Sequence, residues 1–398
     1  MGQSKNFPTK ILDGSECKLR TERLQAALKD AQDEERRLSG LIVLVSTLRK
    51  TSAPLFVSFV ASNRESLFDL CSQITSTIGK DNDKDNDEDK DKKKMTVTLL
   101  TDLVGLVAIQ AKESVKDLIL EPLNQLRQIL MDDEQSANLR TRCAIILAVA
   151  SRFVCSDPEV IALNADACKS AWSTTVSSND LAQLVATSLS AWCTILLDAD
   201  TETLEKATED QKRIVELLKA KHIEVRLAAV RNLGFLYELM RYKKPGFRFE
   251  NTDVVLEVLA GWEQDLSIST KDRRVQSVIA TDIRPSIVED SDAPTTSLQT
   301  ESKDLNCSLL RGGIAQHLAN NELIPKIFGL IPIPTIQFGC KLVSIKDVPK
   351  NVYIGYFNDY VKHRSVQRGR ERDEKMTKIY GDKEKEREEM LAATNPPM

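Results

Sequence analysis

The sequence predicts an all-α protein built as a solenoid of stacked helix pairs. Its 398 residues include only 15 glycines and 13 prolines, so residues that break helices are scarce. Apolar residues recur at three-to-four spacing over long stretches, which is the pattern of amphipathic helices. A similar helix also recurs with a period of about 42 residues in the middle of the chain, which indicates a repeat architecture.

The net charge and the cysteine pattern narrow the class of protein. The net charge is −4, so any surface for nucleic acid has to be local. The first residues lead to no apolar segment of a secretory signal, and no apolar run reaches the roughly 18 residues of a membrane span. The eight cysteines are scattered without a CxxC pair, which predicts reduced and mostly buried thiols. We therefore expect a cytoplasmic and/or nuclear protein without a membrane partner.

The N-terminal part alternates between predicted helices and polar segments. Residues 1–16 are predicted to be disordered, and helical patterns follow over 17–50 and 64–78. Residues 80–94, KDNDKDNDEDKDKKK, contain no apolar side chain and are predicted to form a disordered charged loop. A calcium loop here would need glycine and glutamate where the chain has Asn86 and Lys92, so calcium binding is not expected.

Three similar helices carry the repeat. Ala144, Ala186 and Ala228 occupy equivalent positions about 42 residues apart, within the range of armadillo and HEAT repeats. A helix pair cannot bury its apolar face alone, so neighbouring pairs would stack into a superhelix with one continuous core. An irregular helical bundle is the alternative. Arg142 and Arg226 are also equivalent, and we expect each to bond a nearby carbonyl or carboxylate. The tryptophans are expected to be core residues: Trp172, Trp192 and Trp262.

Changes in composition divide the chain into segments. Residues 17–268 are predicted to form an armadillo-like helical repeat domain. Residues 269–304 are polar and contain two prolines, which predicts a helix that ends before Pro285 and then a linker. Residues 305–353 form a C-terminal motif region that is apolar and helical at first and then extended or irregular. Residues 354–398 are highly charged and predicted to form a helical tail.

Patterns typical of enzymes are missing from the sequence. It contains no glycine-rich phosphate loop, no HExxH zinc motif and no GxSxG nucleophile motif. The three histidines, His222, His317 and His363, are far apart and show no metal-ligand spacing. We therefore expect no enzymatic activity, no cofactor and no metal site.

One local excess of positive charge lies near the C-terminus, in residues 362–372, KHRSVQRGRER. A helix here would place Arg364, Arg368 and Arg372 on one face. Guanidinium groups suit phosphate, so the segment is a candidate contact to RNA or the ribosome. The alternative is a solvated helix whose charge is neutralised by the acids that follow. The candidate binding residues are Lys362, Arg364, Arg368, Arg370, Arg372 and Lys375.

Residues 311–332, at the centre of the C-terminal motif region, read RGGIAQHLANNELIPKIFGLIP. This stretch resembles a segment of the interferon-related developmental regulator family, which has Gly-x-Gly, then His-Leu-Gln-x-Asn-Glu and a Phe-Gly-Leu-Gly-Pro-like end. The helix HIEVRLAAVRNLGFLYELMR also looks like part of the helical-repeat domain of that family. The matching motif residues, which we expect to be structural, are His317, Leu318, Asn321, Glu322, Phe328 and Gly329.

The resemblance implies an armadillo-like scaffold without enzymatic activity that acts in the control of gene expression. Two roles stay open. The first is a translation regulator that associates with the ribosome or RNA through the basic C-terminal helix. The second is a nuclear transcriptional co-regulator scaffold that binds protein partners without direct RNA contact. A monomer is expected, because a solenoid with polar ends needs no second copy to complete its core.

We also expect the C-terminal motif to pack onto the solenoid and so to present the basic tail. His317 would be a hydrogen-bonded core residue, and Asn320 or Asn321 would cap a short helix with Glu322 in its first turn. The apolar residues expected to pack onto the solenoid are Leu318, Leu323, Ile324, Ile327 and Phe328.

Overall fold

The fold was obtained as a computed structural model. It describes residues 14–49, 51, 53–78, 87–244, 246–262, 269–288, 296–299, 323, 327, 333–338 and 341–342. Within these residues the chain forms fifteen α-helices, two short 3₁₀ helices and three short strands. The helical fold class predicted from the sequence is therefore confirmed, with a small sheet added to it.

The helices follow one another along the chain with short connections. They are α1 (Gly14–Gln32), α2 (Arg37–Leu48), α3 (Ala53–Ser62), α4 (Arg64–Cys71), α5 (Ile74–Ile78), α6 (Asp87–Ala111), α7 (Lys116–Met131), α8 (Ala137–Phe153), α9 (Pro158–Trp172), α10 (Asn179–Ile195), α11 (Thr201–Glu209), α12 (Gln211–Leu217), α13 (Ile223–Lys243), α14 (Thr252–Gly261) and α15 (Thr270–Val288). The 3₁₀ helices span Lys112–Val115 and Leu196–Asp198.

The helices form two layers, as stacked helix pairs require. One layer is the series α2, α6, α8, α10, α13 and α15, in which each helix packs against the next. Helices α7, α9, α12 and α14 back this series, since they pack against α8, α10, α13 and α15 respectively. Each helix thus buries its apolar face against both layers, which is how a solenoid builds one continuous core.

Side-chain hydrogen bonds between neighbouring repeats confirm the period. Gln211 Nε2 donates to Asn251 Oδ1 at 2.9 Å, and these residues are 40 positions apart. Arg213 Nη2 donates to the carbonyl of Ser173, also across 40 positions. The hydroxyls that cap α8 and α10 are 42 positions apart (178 minus 136), since Ser136 and Ser178 each accept from a backbone N–H in the first helical turn. Equivalent residues of successive repeats are thus placed side by side.

The residues predicted to form the core are buried. Ala144, Ala186 and Ala228 lie inside the helix layer, where their small side chains allow close approach. All three tryptophans are buried, and the rings of Trp172 and Trp192 lie 5.5 Å apart between centroids. Residues 184–196 are buried without interruption, so α10 has no exposed side over more than three turns.

The two arginines at equivalent repeat positions, which were predicted to be structural, have the expected partners. Arg142 pairs with the carboxylate of Asp102 on α6, and Arg226 Nε donates to the carbonyl of Ala220. The first bond joins neighbouring repeats, whereas the second closes the turn before α13. Both predictions are confirmed.

The charged stretch at the start of α6 differs from its prediction. Residues 87–94 are helical, so the disordered loop predicted over 80–94 is wrong for this part, and residues 80–86 lie outside the described residues. The buried part of α6 supplies a helix that is already formed. Extending a formed helix avoids the cost of nucleation and adds one backbone hydrogen bond for each residue that is fixed. Lys92 also pairs with Glu88 one turn earlier, at 2.8 Å. Similarly, α1 begins at Gly14, inside the segment 1–16 predicted to be disordered.

The segment predicted as a linker over 269–304 contains the last helix of the solenoid. Helix α15 runs through Pro285 to Val288 and packs against α13, so both the early helix end and the linker are wrong over this range. Arg241 explains the difference, because its guanidinium donates to the carbonyls of Ser286 and Ile287, each at 2.6 Å. These bonds hold the end of the helix on α13 and offset the backbone bond that proline cannot make.

The strands form a small antiparallel sheet after the helices. Strand β1 (Thr296–Gln299) pairs with β2 (Ile333–Phe338), and β2 pairs with β3 (Lys341–Leu342). The extended conformation predicted for residues 331–353 is observed over β2 and β3. The charged tail over 354–398 lies outside the described residues.

Among the described helices, the one over Glu88–Ala111 is long and apolar enough to cross a membrane by length and composition. Most of it is buried against other helices, and buried core helices meet the same criterion.

Candidate functional site

The C-terminal motif contacts the solenoid on α6 and α8. Leu323 and Ile327 are 0% and 2% exposed, so both side chains are inside the protein. A Cβ atom on Gly105 of α6 would lie 3.2 Å from Ile327 Cγ2 and 3.0 Å from Ile146 Cγ1 of α8. Glycine at position 105 therefore gives Ile327 the space it occupies between two neighbouring repeats. The prediction that these two motif residues pack onto the solenoid is confirmed.

A buried charge cluster lies beside this contact. Asp102 of α6 accepts hydrogen bonds from Arg49, at 2.6 Å, and from Arg142 of α8. The Asp102 side chain is 4% exposed, whereas the two arginine side chains are 25% and 30% exposed. One carboxylate thus links the end of α2, the middle of α6 and the start of α8.

Arg49 joins the charge cluster to the motif. Its Nε atom donates to the backbone carbonyl of Ile327 at 3.0 Å, while its Nη2 atom donates to Asp102. The carboxylate holds the planar guanidinium in place, so its Nε–H group points in a fixed direction. Ile327 is therefore held by apolar contacts of its side chain and by a charge-assisted hydrogen bond to its carbonyl.

The electrostatic state of Asp102 follows from two opposing effects. Burial raises the pKa of the Asp102 carboxyl, because the charged form loses hydration. The positive charges of Arg142 and Arg49 and their hydrogen bonds act in the opposite direction and lower this pKa. A buried carboxylate of this kind depends on both partners, so loss of either arginine would leave it poorly compensated.

The buried cysteines among the described residues are held in the thiol form. Burial raises the pKa of the Cys71 thiol to about 12 and that of Cys155 to about 11, so neither is a ready thiolate nucleophile. No group of three or more His, Cys, Asp or Glu side chains in the part of the chain that the structure describes could hold a metal ion. What these residues do form is a site that fixes a segment of the same chain.

Most of the predicted site residues cannot be placed. The candidate RNA contacts Lys362, Arg364, Arg368, Arg370, Arg372 and Lys375 lie outside the described residues. The same holds for the motif residues His317, Leu318, Asn321, Glu322, Phe328 and Gly329. Their roles stay predictions.

The sequence reasoning did not identify Arg49, Asp102 or Gly105. One signal for Asp102 was available, because it is the only charged residue in the apolar stretch TLLTDLVGLVAIQ. A lone carboxylate in a buried helix needs a cationic partner, so it could have been paired with the predicted structural Arg142. No comparable signal connects Arg49 to Ile327, which are 278 residues apart.

Comparison with known proteins gives the family of the chain. The family model described as interferon-related developmental regulator (IFRD) matches residues 20–276, which is more than half of the chain. Interferon-related developmental regulator 2 of Mus musculus is 25% identical over 287 residues, covering 64% of this chain and 63% of the mouse protein. Interferon-related developmental regulator 1 of Sus scrofa and of Homo sapiens are each 24% identical over 247 residues, covering 56% of this chain.

The chain spans 63% of the length of the mouse relative and 54% of the length of the other two. The matched region begins within α1 and ends within α15, so it covers the stacked helices described above. The chain belongs to the interferon-related developmental regulator family.

Proposed function

We propose that this protein is a non-enzymatic regulator of gene expression that associates with the ribosome or RNA through its basic C-terminal segment. The relatives are named as developmental regulators, which supports a regulatory role for this chain. The helical scaffold and its buried thiols fit a binding protein. On this proposal it acts as a monomer in the cytoplasm and/or nucleus, without a membrane partner.

The docking of Ile327 is the observation that supports this proposal most directly. Arg49 holds the Ile327 carbonyl, and Lys362 follows only 35 residues later (362 minus 327). The basic segment therefore starts within a limited distance of a fixed point on the scaffold. Tethering of this kind raises the local concentration of the segment near whatever surface the scaffold contacts.

Ribosome co-sedimentation tests the proposal. The wild-type chain should sediment with ribosomes at low salt and be released as salt increases, because each phosphate contact releases counterions. The triple variant Arg364→Glu, Arg368→Glu, Arg372→Glu should lose this binding, since it reverses the charge on one predicted helix face. Unchanged sedimentation of the triple variant would contradict the proposal.

A matched control separates the local effect from the effect of net charge. The triple variant Lys18→Glu, Arg23→Glu, Lys29→Glu changes the net charge by the same amount at exposed positions of α1. It should sediment like the wild-type chain. Equal loss in both variants would mean that only overall charge matters.

The second candidate is a nuclear transcriptional co-regulator scaffold that binds protein partners without RNA. Exposed apolar side chains on α2 and α6, Ile42 and Met95, favour a protein partner. Under this alternative, partners would remain bound to the chain after nuclease treatment and after deletion of residues 354–398. Loss of every partner on nuclease treatment would rule it out.

A further inference from the structure

Residues 36–39 read RRLS and lie where the turn after α1 meets the start of α2. Two arginines at the second and third positions before a serine are the pattern that arginine-directed serine kinases recognise. Carboxylates of such a kinase bind the guanidinium groups in a bidentate geometry, which supplies both affinity and specificity. The ribosome or RNA association proposed above makes no use of this segment.

The hydroxyl group of Ser39 lies on the surface of the protein. Ser39 is the third residue of α2 and is exposed. Its Oγ donates to the carbonyl of Arg36 at 2.8 Å, within the same exposed turn. Because an exposed hydroxyl readily exchanges such a bond for one to water, the oxygen that would accept a phosphoryl group is within reach of an enzyme.

The two arginines differ in how they are held. Arg36 is 62% exposed, and its guanidinium pairs with Asp30 at 3.0 Å and with Asp33 at 3.1 Å. Both carboxylates are exposed as well, so these ion pairs are weak and Arg36 can exchange them for carboxylates of a kinase. Arg37 is the first residue of α2 and is half-buried, so it becomes fully available when the first turn of the helix opens.

The tightly packed part of α2 begins directly after Ser39. Gly40 is buried, and a Cβ atom on it would clash with the backbone of Ala31 on α1. Leu41, the next residue, is fully buried. The N–H groups of a first helical turn have no helical partner, and helix ends open locally at a small cost in free energy. A kinase can therefore draw out residues 36–39 while the packed part of α2 stays in place.

A second basic run, RKTS at residues 49–52, has the same spacing but is held differently. Arg49 donates to Asp102 at 2.6 Å and to the carbonyl of Ile327 at 3.0 Å. Its release would leave the buried carboxylate of Asp102 poorly compensated. Of these two runs, the contacts of the arginines favour the one that ends at Ser39.

The start of α2 also suits a phosphate group. Its first turn contains no acidic side chain, and its N-cap residue Arg36 makes no side-chain hydrogen bond to the helix. The helix dipole and the guanidinium groups of Arg36 and Arg37 favour negative charge here. Asp30 and Asp33 oppose it, but Arg36 can exchange one of these exposed partners for the phosphate.

We propose that Ser39 is a phosphorylation site for an arginine-directed serine kinase. The terminal phosphoryl group of ATP is transferred to Ser39 Oγ. The bond from its phosphorus to the bridging oxygen of ADP breaks, the Oγ–P bond forms, and the hydroxyl proton passes to a base of the kinase. The product carries about two added negative charges at the start of α2. This modification goes beyond ribosome or RNA association and does not depend on it.

Phosphorylation of the full chain in vitro tests the site. The chain is incubated with the catalytic subunit of cAMP-dependent protein kinase and Mg²⁺–ATP, and peptide mapping by mass spectrometry gives the occupancy of each serine over time. Ser39 should be modified. The initial rate at Ser39 should fall by about tenfold or more in Arg36→Ala and in Arg37→Ala, because each variant loses a charge-assisted contact to the kinase. Unfolding of a variant would increase access to Ser39, so a lower rate reports the loss of recognition.

Ser76 on α5 is the matched control within the same chain. It is exposed and its Oγ also donates to the carbonyl three residues earlier, at 3.0 Å, but no arginine lies two or three positions before it. Ser76 should stay unmodified while Ser39 is phosphorylated. A synthetic peptide of residues 33–41 reports the sequence without the fold. Modification of the peptide but not of the folded chain would overturn the proposal, because the first turn of α2 would then be closed to the kinase. Equal rates at Ser39 in the wild-type chain and both arginine variants would also overturn it, as would no modification of Ser39 in either the chain or the peptide.

Discussion

The contact between Gly105 and Ile327 can be tested by adding one methyl group. Gly105→Ala places a Cβ atom 3.0 Å from Ile146 Cγ1 and 3.2 and 3.3 Å from two atoms of Ile327. These distances are tighter than ordinary van der Waals contact, so one neighbour has to move. Ile146 belongs to α8, which is packed between its neighbours, so we expect Ile327 to be the side chain that moves.

The expected change in the free energy of unfolding for Gly105→Ala comes from two opposing contributions. Alanine in the middle of a helix is favoured over glycine by about 1 kcal/mol. Overpacking of a buried site costs about 1–3 kcal/mol. The free energy of unfolding should therefore fall by about 0–2 kcal/mol in Gly105→Ala, instead of rising by the full helix-propensity gain.

A double-mutant cycle isolates the part of this free-energy change that comes from the contact with Ile327. Ile327→Ala alone removes a buried side chain, which costs up to about 2–5 kcal/mol, limited by the free energy of docking itself. It also removes both Ile327 atoms that the new methyl group would meet. Gly105→Ala should therefore cost about 1 kcal/mol less in the Ile327→Ala background.

Two measurements on the full chain check this expectation. Urea unfolding followed by circular dichroism gives the free energies, and hydrogen exchange shows whether residues 316–330 lose protection. Gly105→Ala should raise exchange in that segment before it affects α10. The reasoning is refuted if Gly105→Ala stabilises by the full helix-propensity difference, or if the two substitutions are additive within about 0.5 kcal/mol.

Three further outcomes are expected. Asp102→Asn should lower the free energy of unfolding by about 1–3 kcal/mol in urea titrations, because two partly buried guanidinium groups lose their counter-charge. Arg241→Ala should increase hydrogen exchange at the end of α15, since two carbonyl contacts are lost, whereas Arg248→Ala, at an exposed ion pair, should not. Near pH 8.5, the usual thiol pKa, iodoacetamide should leave Cys71 and Cys155 unmodified in the folded chain, because their raised pKa values keep them protonated. Peptide mapping by mass spectrometry would reveal any modification.

The repeat architecture could be predicted from the sequence because the same packing position recurs, residue by residue, in successive helices. Small residues at 144, 186 and 228 and the equivalent arginines Arg142 and Arg226 mark the same structural position in successive helices. The residue pattern of one helix therefore indicates how that helix packs against the next helix of the solenoid. The period of about 42 residues at these positions is close to the 40 positions spanned by side-chain hydrogen bonds between adjacent repeats.

The errors arose where tertiary contacts outweigh local composition. Proline at 285 predicts a helix end, but Arg241 and the packing against α13 carry α15 to Val288. An uninterrupted charged run predicts disorder, but residues 87–94 extend a helix whose other half is buried. The docking site was missed for a related reason, since its residues come from four separate segments and no local pattern joins them.

The bond between Arg49 and Ile327 has a consequence for the order in which the protein is assembled. The two residues are 278 positions apart and Ile327 follows α15, so the contact cannot form until the whole repeat region has been synthesised. Stacked helix pairs make mostly local contacts and can fold progressively from the N-terminus as the chain emerges. The place beside Gly105 that Ile327 fills is then open on a folded but incomplete chain. It stays open for the time needed to translate about 200 further residues, roughly 10–40 s at common elongation rates. During that interval any apolar segment nearby, including one from a neighbouring nascent chain, competes with Ile327 for the same place.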